Sequence, residues 1–429
     1  MRDAPPRLIR ADIFVGMRRI ALASGLILAL GLSACAGADS PTTPQTTAPT
    51  TSGTTAAGTS GSTPGETTPT PGPTASGAPQ RHASGAFATR EAATLKDPWA
   101  MAFVPGTDQL LITQKSGELL LRDQRSGNTI TVSGTPRVVD AGQGGFGDVV
   151  VAPTFERDRT IYLSWVEQGD GGNTGAVIGR ARLVSDATSA SLDGLTVIWR
   201  QDPKVSGQGH FSHRMAFSPD GKYLFVSSGD RQKFDPAQDL SSGLGKILRL
   251  NLDGTPAAGN PFADRGGVSA QIWSYGHRNP LGIAFDADGN LWSSEMGPQG
   301  GDEINLILEG RNYGWPRVSN GSHYGGADIP DHAPGDGYEA PKVWWNPSIS
   351  PSSLMIYSGD VFPQWKGDAF AGALSGQALI RVDLNGTDAT KGDQWDMGKR
   401  IRDVAQAPDG TIWLIEDGSN GRLLQIVPA

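Results

Sequence analysis

Residues 215–230, MAFSPDGKYLFVSSGD, read as two short apolar strands joined by a tight turn. Period-two alternation marks each strand, and Pro219-Asp220-Gly221 supplies the turn chemistry of a hairpin. The unit returns as MAFVPGTDQLLITQKSG from Met101, VVVAPTFERDRTIYLSWVEQG from Val149 and IAFDADGNLWSSEMG from Ile283. It returns again as LMIYSGDVFPQWKGDAFAGALSG from Leu354 and VAQAPDGTIWLIEDGSNG from Val404. A third strand follows most copies, as in GELLLRD, GKILRLNLDG, ALIRVDLNG and GRLLQIVP. No helical period of any length interrupts the series. Six units spaced roughly 50–70 residues apart predict radial repetition of small sheets. The expected fold is therefore all-β, a six-bladed β-propeller with four-stranded blades. A large β-sandwich would not repeat one hairpin-plus-strand unit six times. The ring should close by pairing a strand near Phe87–Glu91 with the last blade near Leu423–Val427, which removes exposed sheet edges.

The propeller is assigned to residues 86–429, and what precedes it reads differently. Residues 1–34 read as a signal peptide, with Met17-Arg18-Arg19 ahead of the apolar run Ile20 to Leu32. That run is too short to span a bilayer as a mature helix. Met17 makes a better start for such a leader than Met1. Leu32-Ser33-Ala34-Cys35 resembles the lipobox of bacterial lipoproteins, so Cys35 is the expected lipidation site. It is the only cysteine, and no intramolecular disulfide can form. Residues 35–85 are rich in Thr, Pro, Gly and Ser and carry almost no large apolar side chain, so they read as a disordered tether. The expected location is extracytoplasmic, anchored to the membrane by the N-terminal lipid alone. Net charge is −8 for the whole chain and −11 once the five Arg and two Asp of residues 1–34 are removed. An acidic body argues against nucleic acid as a partner, because phosphate binding needs a basic footprint.

Chemistry concentrates in Tyr275–Pro316, YGHRNPLGIAFDADGNLWSSEMGPQGGDEINLILEGRNYGWP. A basic–amide pair (Arg278, Asn279), an acidic turn-rich segment from Glu295 to Glu303 and a Gly-Trp-Pro corner surround one hairpin. Polar residues this dense on turns suit a cofactor or metal site at a loop-bearing face. Elsewhere, His210 lies in a Gly-rich turn just before a blade strand, where an imidazole can serve as a base near neutral pH. His213 is its rival. Arg400 and Arg402 are spaced by two, so both face one side of a strand and can share a ligand.

These segments, GQGHFSHRMAFSPDGKYLFVSSGDR from Gly207, AQDL from Ala237, GKILRLNLDG from Gly245 and the Tyr275–Pro316 series, resemble the soluble glucose and aldose sugar dehydrogenases in the same order. Members of that family are six-bladed propellers that use pyrroloquinoline quinone (PQQ) and calcium. The resemblance covers essentially all of residues 86–429. It implies His210 as catalytic base, Arg278 and Asn279 at the quinone, and Arg400 and Arg402 on the cofactor's carboxylates. It further implies cofactor contacts by Gln143, Gln238 and Ser348. The backbone oxygens of Gly297 and Pro298 would face the cofactor's calcium. Glu303 and the Tyr313 carbonyl would hold a second, structural calcium, a hard ion suited to oxygen donors.

Several positions depart from the family pattern. A cofactor-contacting lysine is absent near Ser375, Leu281 replaces a glutamine, and Gly209 replaces an acidic residue that meets substrate in the glucose-oxidising branch. Asn346 stands where that branch has a tryptophan, with Trp344 and Trp345 adjacent. The resemblance implies oxidation of an aldose's anomeric carbon to the lactone, with electrons passed to a separate acceptor. The alternative is a propeller that kept its calcium scaffold, lost turnover and binds carbohydrate or another surface. A calcium propeller hydrolase fits less well, since no set of carboxylates and amides converges on a central metal.

Overall fold

The computed structural model describes residues 87–429, all but a few short helical turns of them strand, turn or loop. The leader, Cys35 and the tether lie outside the described residues. Six four-stranded antiparallel sheets follow one another along the chain. Their inner strands are Pro98–Phe103, Phe146–Val151, Ser212–Phe217, Pro280–Phe285, Met355–Ile356 and Ile401–Gln406. The first two blades run into each other through a short parallel contact, Val132 beside Ala190 and Ser133 beside Ser191.

Tight turns close hairpins where the sequence places them, whereas blade 2 connects through the short helix Phe155–Asp158 and blade 5 through a longer stretch between Met355–Ile356 and Ala369–Ala373. In blade 3, Ser218 and Tyr223 close the turn, and Asp220 accepts the Lys222 N–H and the Ser218 hydroxyl. Gly221 takes φ +69°, a conformation that costs other residues a steric clash. Alternate side chains of each strand then pack into the apolar layers between neighbouring blades.

The ring closes as the sequence predicts. Ala88–Leu95 pairs antiparallel with Gly421–Val427, from Ala88 beside Val427 to Leu95 beside Gly421. The last blade therefore takes three strands from the C-terminal end and its outer strand from the N-terminal end. Pulling it open would break sheet hydrogen bonds, which is a stronger latch than side-chain contact between blades.

At the axis, one buried side chain reaches all the other blades. The Arg214 guanidinium of blade 3 lies 4.1 Å over the Trp99 ring of blade 1. It donates to Asp148 of blade 2 at 3.1 Å, to the Leu281 carbonyl of blade 4 and the Ser352 carbonyl of blade 5, both at 2.8 Å, and pairs with Asp403 of blade 6 at 3.1 Å. The two carboxylates also accept across blade boundaries: Asp148 from the Met215 N–H and Asp403 from the Met101 N–H. Burial pushes both acids up, Asp403 to about 6, and Arg214 counteracts it. Replacing the guanidinium strands two buried carboxylates. Arg214→Met is expected to lower unfolding free energy by about 3–5 kcal/mol in denaturant titrations. Adding Asp148→Asn and Asp403→Asn should recover much of that loss. A midpoint unmoved by Arg214→Met would show that the axis is held by something else.

Candidate active site at the loop face

The inner strands all run the same way through the ring, so the residues that lead into them converge on one face. There they enclose a cavity of about 430 Å³, whose wall includes Gln143, His213, Asn279, Arg400 and Arg402. Four of the predicted site residues are thus brought together from blades 2, 4 and 6.

His210 sits beside this wall, buried, on the segment that enters blade 3. Its Nδ1 lies 2.7 Å from Asp230 Oδ1, and the other Asp230 oxygen accepts the Trp315 indole N–H at 2.8 Å. A carboxylate acceptor holds the imidazole proton at Nδ1 and leaves Nε2 with a free lone pair. Burial lowers the His210 pKa, Asp230 opposes that shift, and the Arg278 charge adds to it. The neutral ring, the form able to take a proton, therefore persists below the ordinary histidine range. Asp230 was not singled out by the sequence reading. The available signal was an acid ending the apolar run Leu224–Val226, at a strand's exit toward the loop face.

The segment carrying His210 is strained and pinned. His210, Ser212 and His213 all have positive φ, between +50° and +58°. Such conformations persist only where surroundings impose them. Gln143 Oε1 accepts the His210 backbone N–H at 2.7 Å, and the buried Arg231 guanidinium donates to the carbonyls of Gly209, Gly207 and Thr174. Arg231 also stacks 3.7 Å from the Phe211 ring centre. Gln143 thus holds the base in place, and its amide nitrogen with one oxygen lone pair remains for a ligand.

His213, the rival base, is a wall group. Its ring stacks on Trp99, Nδ1 is 2.7 Å from Ser164 Oγ, and burial together with Arg214 pushes its pKa down to about 3. Gly147 leaves it room, since a Cβ there would lie 1.9 Å from its Cε1. A group so reluctant to bind a proton is a poor base.

Asp417 organises the arginine pair. It accepts Arg400 Nε at 2.7 Å and Arg402 Nη2 at 2.6 Å, fixing both guanidiniums along one cavity wall. Burial lowers the Arg402 pKa, with Asp417 opposing. Asn279 accepts the Ser212 hydroxyl at 3.0 Å. Arg278 stands behind it and donates to the Gly297 carbonyl at 2.7 Å and to the Tyr324 hydroxyl at 3.1 Å, while its Nε has no partner. Tyr324, 72 % exposed, forms part of the cavity mouth.

Two expected contacts are spent elsewhere. The Gln238 amide pairs with Asn312 and the Trp315 carbonyl, bracing the Gly-Trp-Pro corner rather than lining the cavity. The Ser348 hydroxyl donates to Asp302 at 2.6 Å, and it is Ser350 that reaches the cavity wall. The departures also have structural readings. A Cβ at Gly209 would meet the Gln232 amide at 2.7 Å, so that side chain occupies the space. Asn346 packs against Gly300, Leu281 joins the cavity wall, and the Ser375 hydroxyl lies 2.8 Å from Ser350 Oγ.

Beneath Arg278 lies a small void of about 10 Å³ between Glu295, Gly297, Glu303 and Tyr313. That is roughly room for one water-sized sphere. Glu303 is buried there with Asn305 Nδ2 at 3.1 Å, and the Asn305 side-chain oxygen has no partner. Burial, then the neighbouring Glu295, raises the Glu303 pKa. Among the described residues no three His, Cys, Asp or Glu side chains converge as a metal cluster, so a cation here would rely partly on backbone oxygens. A buried carboxylate without a counterion beside an ion-sized void fits calcium. The Gly297 carbonyl, expected to face a calcium, accepts Arg278, leaving it one lone pair. Calcium at a hundredfold excess over its Kd should stabilise the protein by about 2.7 kcal/mol. Glu303→Gln should lose that response in thermal melts yet match or exceed the wild type in chelator, because a buried acid without a cationic partner is replaced by a neutral amide. An undiminished calcium shift in this variant would move the ion elsewhere.

Fold and site together define a six-bladed propeller whose loop-face cavity carries two arginines and lies beside a carboxylate-oriented imidazole. The family described as Glucose / Sorbosone dehydrogenase matches residues 95–425, and the chain belongs to that family. It is 43% identical over 341 residues to the aldose sugar dehydrogenase YliI of Escherichia coli, covering 78% of this chain and 91% of that protein. It is 27% identical to quinoprotein glucose dehydrogenase B of Acinetobacter calcoaceticus, over 77% of this chain and 84% of that one. The crystal structure of the soluble E. coli aldose sugar dehydrogenase in its apo form superposes with a TM-score of 0.76 at 40% identity, covering 80% of this chain and all of that one. The PQQ-bound aldose sugar dehydrogenase of Streptomyces coelicolor gives a TM-score of 0.66 at 28% identity, covering 82% of this chain and 99% of that one.

Proposed function

We propose that this protein oxidises the anomeric C1 hydroxyl of an aldose to the lactone, using PQQ and calcium, and passes the electrons to a separate acceptor. The His210–Asp230 pair carries this reading. PQQ, when bound with calcium, supplies the two-electron acceptor for the hydride that leaves C1. His210 Nε2 takes the hydroxyl proton as that hydride departs, and Asp230 stabilises the imidazolium that results. Arg400 and Arg402 present planar donor forks suited to carboxylates, and Asn279 adds an amide to the same cavity wall. Relatives named for quinoprotein and aldose chemistry support the cofactor and substrate class.

The test is to add PQQ and calcium to purified protein and follow dye reduction with a panel of aldoses. Absence of turnover with every sugar would leave the non-catalytic, carbohydrate-binding propeller as the better reading. His210→Ala should retain PQQ binding and lose about 10²–10⁴-fold in kcat. Activity should rise with pH through an apparent pKa below the ordinary 6.5 of histidine, since burial lowers that of His210. Asp230 opposes that lowering, so Asp230→Asn should move this limb to still lower pH while reducing kcat. A limb that stays fixed in Asp230→Asn would place the titration on another group.

The lipobox-like sequence ending at Cys35 supports a lipid-anchored, extracytoplasmic location. Cys35→Ala should abolish metabolic labelling with a radioactive fatty acid and release the protein from the membrane fraction. Unchanged labelling would rule this residue out.

A further inference from the structure

The cavity wall carries a cation that the proposed chemistry leaves unused. Lys115 follows the strand Gln109–Gln114 of blade 1 and lines the same cavity as Arg400 and Arg402. Its backbone is fixed on both sides, since its N–H donates to the Asp97 carbonyl and its own carbonyl accepts the Phe146 N–H. Gly145, at φ +115°, lies so close that a Cβ there would be 2.5 Å from the Lys115 carbonyl oxygen. The side chain is 26% exposed, and its ammonium donates to the Gly142 carbonyl at 3.1 Å. Asp140 stands at 3.6 Å, close enough to attract it and too far to hold a hydrogen bond. An ammonium has three N–H donors, so the group is anchored with donor capacity left toward the cavity.

The charge balance of the wall gives that capacity a use. Arg400 and Arg402 share the single carboxylate of Asp417, so the pair keeps about one positive charge. At Ser375, where the family resemblance implies a cofactor-contacting lysine, the side chain is neutral and engaged with Ser350 and the Ser348 carbonyl. Blade 1 adjoins blade 6 across the ring closure, which sets Lys115 on the flank of the arginine pair opposite to Ser375 of blade 5.

We propose that Lys115 binds a carboxylate of the cofactor and replaces, from blade 1, the cation missing at Ser375. The inference rests on the PQQ reading above. It makes Lys115 a binding residue that sets cofactor affinity and gives it no part in proton transfer.

The test is PQQ titration in calcium buffer, followed by quenching of tryptophan fluorescence, with no sugar present. Lys115→Gln should weaken the PQQ Kd by about ten- to a hundredfold, the usual scale for a lost charged hydrogen bond. Lys115→Arg should stay within about threefold of wild type, because a cation is kept. Ser375→Lys in the Lys115→Gln background should recover part of the loss, which a merely structural role for Lys115 would not allow. The salt dependence of Kd should be shallower in Lys115→Gln. A Lys115→Gln protein that melts as wild type and binds PQQ within about twofold at low salt overturns the inference alone. Wild-type protein that shows no PQQ binding overturns the cofactor reading and this inference with it.

Discussion

The propeller depends on the placement of one guanidinium. Arg214 extends from the third inner strand and engages a ring, two carboxylates and two carbonyls, one from each of the other five blades. Apolar contact between neighbouring blades is non-directional and would tolerate sliding. A planar fork with fixed N–H directions does not. The buried acids raise the stakes, because each is costly to leave unpaired. Asp148 and Asp403 in turn take backbone N–H groups of the next blade, so the ring's register is set from its centre.

That register has a chemical consequence. Residues on or just ahead of four of the six inner strands line the cavity: Trp99, His213, Asn279 and Arg402. His213 links the two levels, stacked on the Trp99 ring that Arg214 covers from its other contact. Its depressed pKa makes it a neutral spacer, which leaves His210 as the basic imidazole at the face. The strained turn from His210 to His213 turns the chain from loop to strand while aiming one ring at Asp230 and the other at Ser164. Arg231 and Gln143 hold that turn against relaxation.

Most of the fold was legible because its signals are local. Asp-Gly and Pro-Gly turns between alternating strands mark hairpins, and their recurrence marks blades. The closing strand was legible because a ring of sheets with one strand short must find it at the other end. The site was legible in part. The spacing of Arg400 and Arg402 showed that they share a face, and His210 stood out in a glycine-rich turn. Asp230, Asp417 and Arg214 were not found, because their roles arise from contacts across the fold rather than from neighbours in sequence. Arg214 meets Ser352 across 138 residues. Gln238 and Ser348 were expected on the ligand; the polar group of each is captured first by a protein partner, the Trp315 carbonyl and the Asp302 carboxylate.

The departures from the family pattern acquire a common physical reading. At Gly209 the missing side chain is matched by Gln232, whose amide fills the space without adding charge. At Ser375 the missing cation is matched by a hydroxyl pair that closes that flank. Against the pattern the resemblance implies, both positions lack a charge: an acid next to His210 and a lysine at Ser375. Losing the acid beside His210 lowers the electrostatic support for a protonated imidazole and leaves Asp230 to supply it. The cations that line the cavity, Arg400, Arg402 and Lys115, all come from blades 6 and 1, with Asp417 pairing the two arginines. An anionic ligand in this cavity is therefore drawn toward the seam where the first and last blades meet, the seam that Asp403 and the N-terminal strand hold shut.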